Sequence, residues 1–176
     1  PHEAGVTART KSGDITLSGE CGDLSAKSGS GDVTFEHARQ IHTATGSGDI
    51  SGRTCRGGSA TTGSGDISLD EVTGTELQCK AGSGDISLRR THLERTSAAT
   101  GSGGISVALG GGSLEAKSGS GSIDIAVPQG IPVWLDLASG TGRVTKDIEP
   151  VGAPAEGQAH LSVKAKSGVG SIRVHH

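Results

Sequence analysis

Small aliphatic and hydroxyl residues alternate in a motif that returns at near-constant spacing along most of the chain. Anchored on the residue that follows each turn glycine, the motif falls at Asp14, Asp32, Asp49, Asp66, Asp85, Gly104, Ser122, Arg143 and Ser171. The first six intervals are 17 to 19 residues, and the last two stretch to 21 and 28. The next residue is always β-branched and aliphatic: Ile15, Val33, Ile50, Ile67, Ile86, Ile105, Ile123, Val144 and Ile172. Two positions further on stand Leu17, Phe35, Leu69, Leu88, Val107, Ile125 and Val174, with Gly52 and Lys146 as exceptions, and the residues between are mostly Thr or Ser. Period-two alternation predicts a strand with Ile and Leu inward and the hydroxyls outward.

A second alternation precedes each turn. Eight residues before the anchor lie Val6, Leu24, Ile41, Leu77, Leu114, Leu135 and Val163, with Gly58 and Thr96 breaking the column. Six before it the column is mostly Ala, and four before it lie Thr10, Ser28, Thr45, Thr62, Thr100, Ser118, Ser139 and Ser167, interrupted by Ala81. The inward residues shrink towards the corner, and Gly-Ser-Gly makes the corner. Glycine is needed there for φ > 0 or for a close approach to the neighbouring coil, since a Cβ obstructs both.

These units predict an all-β parallel β-solenoid (β-helix) of about nine coils of 17–19 residues, right-handed winding favoured. Residues 1–125 read as the regular repeats and residues 126–174 as irregular C-terminal coils with a cap. His175 and His176 resemble a tag remnant. In the C-terminal part Pro128 and Pro132 interrupt ladder donation, a Pro, Gly and acid-rich loop spans 147–160, and Trp134 is expected to cover the last apolar layer. Pro1–Gly5 offers no comparable cover, so an open edge with end-to-end self-association or further N-terminal coils is expected.

Composition supports a thin core: one Trp, one Phe, no Tyr and no Met. Glycine reaches 31 residues, but in register with aliphatics, which separates the chain from disordered glycine-rich sequences. The net charge of -3, with Lys and Arg dispersed along the sequence, gives no nucleic-acid footprint. No apolar run approaches the ~20 residues of a spanning helix. Cys21, Cys55 and Cys79 are an odd number, expected as small buried thiols, with a Cys55 to Cys79 bridge left open.

The TGSGDIS(L) units at Thr45–Ser51, Thr62–Leu69 and Ala81–Leu88, with the closing GIPVWLDLASGTGRV and SVKAKSGVGSIRV, resemble a bacterial adhesin-labelled family of β-strand repeats catalogued as a domain of unknown function. The closing stretches are similar to the C-terminal portion of its actinobacterial members. The resemblance implies a β-solenoid and carries no catalytic residue.

The aspartate column is the sharpest polar feature. Carboxylates stacked about 4.8 Å apart repel by about 1 kcal/mol per adjacent pair in water and about 3 to 4 at an effective dielectric near 20. They must splay, accept backbone N–H groups or share cations. Calcium candidates are therefore Asp32, Asp49, Asp66 and Asp85, although one carboxylate per coil falls short of six to eight oxygen ligands. The outward hydroxyls Thr16, Thr34, Ser51, Ser68, Ser87 and Ser106 form a single, Ser-rich column, which ordinary β-surface polarity explains better than ordered water. His2, His37, His42, His92 and His160 lie at unrelated repeat phases, which gives zinc little support.

No Asp, Arg and His set recurs at one coil, and aromatic platforms for sugars are nearly absent. The leading reading is a non-catalytic scaffold or binding module, adhesin-like, with a protein or cell-envelope partner. The alternative is an enzyme or calcium-dependent binder with its site in the loops at 36–42, 53–58 and 89–95, where Arg39, Arg56, Arg89 and Arg90 sit. The resemblance points to a bacterial protein, and cell surface and cytoplasm both stay open.

Overall fold

The computed structural model describes residues 4–149 and 160–176. Among the described residues thirteen strands form one continuous parallel sheet: β1 Val6–Thr10, β2 Ile15–Ser28, β3 Val33–Thr45, β4 Ile50–Cys55, β5 Gly58–Thr62, β6 Ile67–Ala81, β7 Ile86–Thr100, β8 Ile105–Ser118, β9 Ile123–Ala126, β10 Val133–Thr141, β11 Val144–Asp147, β12 Leu161–Val169 and β13 Ile172–His175. Each long strand bends midway, leaving one coil and entering the next. The fold is a parallel β-solenoid.

The predicted columns are the observed ladders. Ile15 pairs with Val33, Val33 with Ile50, Ile50 with Ile67, Ile67 with Ile86, Ile86 with Ile105 and Ile105 with Ile123. These rungs make about six turns in chain order, fewer than the nine coils expected, because the sequence beyond Ile123 does not stack in order. Ile123 pairs with Ile172, and Ile172 with Val144. On the other strand of the coil, β12 lies between β8 and β10. The segment 161–175 is therefore an interior layer, and 133–147 is the terminal one.

Trp134 does not take its expected place. It faces outward from β10 with 63% of its surface exposed and covers no apolar layer. The inward residues of the terminal strand, Val133, Leu135 and Leu137, are half-buried, as are Val6, Ala8, Ile15 and Leu17 at the opposite end. The proline, glycine and acid-rich loop expected at 147–160 lies largely outside the described residues, as do Pro1, His2 and Glu3.

Between these ends the core is a narrow file of Ile, Val, Leu, Ala and Cys side chains. Fully burying one Leu or Ile contributes roughly 1.5 to 3 kcal/mol, so each layer depends on the layers above and below it. The file also adjusts to its largest member. A Cβ on Gly52 would stand 2.1 Å from Cζ of Phe35, so the exception in the inward column is the space that the ring fills.

The corner glycines are required by proximity. Gly31, Gly48, Gly65, Gly84, Gly103 and Gly121 have no left-handed φ, but a Cβ on any of them would fall 1.8 to 2.2 Å from the carbonyl oxygen of the corner glycine one coil earlier. Left-handed glycines such as Gly57, Gly58, Gly74 and Gly112 belong to the opposite edge.

The column of hydroxyls staples the same corner. Thr62 Oγ1 donates to the Gly48 carbonyl of the preceding coil at 3.0 Å and accepts the Gly65 N–H of its own turn at 3.0 Å. Ser28, Thr45, Thr100 and Ser118 make the same two bonds. Ala81 is buried at that position without a hydroxyl.

Urea unfolding of three single variants tests this account. Gly65→Ala is expected to lose about 2 to 3 kcal/mol by overpacking against the Gly48 carbonyl. Gly111→Ala, where a Cβ meets nothing within 4 Å, stays within about 0.5 kcal/mol of the parent. Ala81→Thr gains about 1 kcal/mol by restoring the missing staple.

Candidate binding surfaces

Polar side chains line the two edges and the flat faces between them. At the glycine corner the aspartates form a ladder of backbone bonds: the N–H groups of Asp32, Asp49, Asp66 and Asp85 each donate to Oδ1 of the aspartate one coil earlier, at 2.8 to 2.9 Å. The series ends at Gly104, whose N–H donates to Asp85 Oδ1 at 2.7 Å. Charge-assisted bonds of this kind offset the repulsion between stacked carboxylates, one of the resolutions the sequence required. All five aspartates are solvent-exposed.

The segments 36–42, 53–58 and 89–95, expected as loops, lie on the opposite edge, where 36–42 and 89–95 are strand throughout, within β3 and β7, and 53–58 is strand as far as Cys55. Register aligns Glu20, His37, Thr54, Glu71 and Arg90 in one outward column. Arg39 pairs with Asp23 at 3.0 Å and Arg89 with Asp70 at 3.5 Å, all four side chains being about half exposed or more. Two shallow grooves run between these segments. One of 290 Å³ is bordered by Glu20, His37, Arg39, Thr54 and Arg56; the other, of 320 Å³, by Arg53, Asp70, Glu71, Arg89 and Arg90. Exposed pairs contribute about 0 to 1 kcal/mol to stability, so they add little to holding the fold.

A family model described as Toastrack DUF4097 matches residues 6–176. The chain belongs to that family. It is a domain family of unknown function, so Toastrack membership agrees with the solenoid and leaves the ligand to be argued from side chains. No curated protein and no solved structure matches the chain.

Within the Toastrack domain, His42 contacts the Ile41 carbonyl through Nδ1 at 2.5 Å. His175 meets Asp124 at 2.9 Å from within the β13 ladder. Among the described residues, no group of three or more His, Cys, Asp and Glu side chains is placed to hold a metal ion. His2 lies outside them.

The three cysteines are buried and form no disulfide among the described residues, so the Cys55 to Cys79 bridge is not formed. Burial pushes the Cys55 thiol up from 9.0 to about 11, against a lowering backbone bond at Gly57. Cys79 is raised further by burial and by the neighbouring Cys55. A thiol whose proton is held more tightly in the folded chain stabilises it fully below the unfolded value and loses that contribution as pH rises. The thiols' contribution to the stability of the Toastrack domain is therefore expected to be constant below about pH 9 and to fall between about pH 9 and 11, by roughly 2 to 3 kcal/mol for Cys55. Urea titrations across that range check it: Cys55→Ala should remove a large part of the slope, and an unchanged slope would refute the assignment.

Proposed function

We propose that this Toastrack domain is a non-catalytic scaffold and binding module, adhesin-like and envelope-associated, presenting the stacked segments of the edge opposite the glycine corner to a protein or cell-envelope component. The observation that carries this reading is the convergence of 36–42, 53–58 and 89–95 on one edge. Residues far apart in sequence there become a charged surface held on paired strands. A surface fixed by a ladder needs little ordering on binding, which favours recognition by charge and shape.

The test is co-sedimentation of the purified protein with a bacterial envelope fraction. A variant carrying Arg39→Gln, Arg56→Gln, Arg89→Gln and Arg90→Gln should bind roughly tenfold more weakly with an unchanged thermal midpoint. Saturable turnover of a glycan or small metabolite, abolished by one substitution, would overturn the reading.

The second reading places calcium along Asp32, Asp49, Asp66 and Asp85. Engagement of each Oδ1 by a backbone N–H supports a structural role for these carboxylates without a cation. Calorimetric titration with calcium is expected to give flat heats in the parent and in Asp49→Ala and Asp66→Ala alike. Parent-only heats that both substitutions remove would establish the calcium site.

A further inference from the structure

We propose that the flat outer face formed by β1, β5, β10, β12 and the C-terminal halves of β2, β3, β6, β7 and β8 is a docking strip for a linear acidic polysaccharide. Cations dispersed in sequence line up there. In one outward column, Arg9 pairs with Lys27, Lys27 with Ala44, Ala44 with Thr61, Thr61 with Lys80, Lys80 with Ala99, Ala99 with Lys117 and Lys117 with Lys166. All five of its basic residues are exposed. Lys164, in the adjacent outward column, adds a sixth cation. Glu115 and Asp136 are the carboxylates of the same two columns, so these columns carry six cations to two carboxylates on a chain of net charge -3.

The positive end of the strip is electrostatically unsatisfied. Lys117 lies directly opposite Lys166, a like-charge pairing that destabilises a ladder, and Lys164 stands diagonally beside it. Glu115 is the carboxylate they share. It bonds Lys117, and its proton affinity is lowered first by that bond and charge, then by Lys164 and Lys166. Asp136 lies opposite Lys164 on the other side, which leaves three lysines to two carboxylates, and a chain of anions laid along the column would neutralise the remainder.

The other side chains of the face narrow the partner. Between the cations stand the small residues Ala44, Thr61 and Ala99, which let a chain approach the backbone. The adjacent column offers Ser25, Ser59, Gln78 and Ser97, donors and acceptors suited to sugar hydroxyls. A 420 Å³ groove beside Lys164 is bordered by Arg95, Ser97, Ser113 and Glu115. Trp134, exposed on the same face, lies outside these two columns at the terminal layer.

The inference rests on the binding-module reading only in taking the domain to be a binder, and it uses a different surface. Polygalacturonate is the probe, with neutral dextran as control, in equilibrium binding at several salt concentrations. The quadruple variant Lys80→Gln, Lys117→Gln, Lys164→Gln, Lys166→Gln should lose roughly tenfold or more in affinity at low salt, with a shallower salt slope. The corresponding Lys→Arg variant should retain binding, and thermal melts should show both folded. The Arg39, Arg56, Arg89, Arg90 variant removes equal charge elsewhere and should bind polygalacturonate within about twofold of the parent. Absent binding by the parent, or equal loss in both Gln variants, overturns the strip. Equal affinity for linear polyphosphate or for phosphatidylglycerol vesicles overturns the polysaccharide assignment. Loss of envelope binding by the edge variant with polygalacturonate binding intact separates the two surfaces.

Discussion

The structure depends on how closely two backbones approach at the glycine corner. At each regular corner the carbonyl of one coil occupies the volume that a side chain on the next coil would need. That approach lets strands stack at about 4.8 Å through the bend as well as along the flat sides. Once the backbones are that close, a hydroxyl four residues before the anchor reaches the earlier carbonyl, and a carboxylate at the anchor reaches the later N–H. Glycine, staple and ladder are three consequences of one spacing.

Much of this was legible in the sequence because a solenoid converts linear period into spatial neighbourhood. The column Ile15, Val33, Ile50, Ile67, Ile86, Ile105 and Ile123 is a run of rungs in the order written. The aspartate column likewise allowed backbone N–H acceptance as one of three outcomes, and the structure places each Oδ1 against an N–H. The nature of the glycine requirement was open: close approach at the corner, left-handed φ at the other edge.

What escaped the sequence has a common physical origin. The insertion of 161–175 between 114–126 and 133–147 is a choice between two adjacent layers with the same inward pattern, and alternation does not rank them. Trp134 does not depend on that choice: it stands between the inward Val133 and Leu135 and faces outward whichever layer is terminal. The lysine and arginine strip was hidden because its members are separated by coils in which Ala or Thr holds the position. Dispersal in sequence and alignment in space are compatible whenever the repeat is regular.

The interleaved layer has a mechanical consequence. An edge strand can be peeled one bond at a time, but β12 and β13 are bonded to a neighbour on each side. Tension applied at residue 176 would load two ladders together, whereas tension at the opposite end would unzip β1 from β2 alone. The rod is thus anisotropic under force, with its firmer grip where the chain doubles back into its own stack.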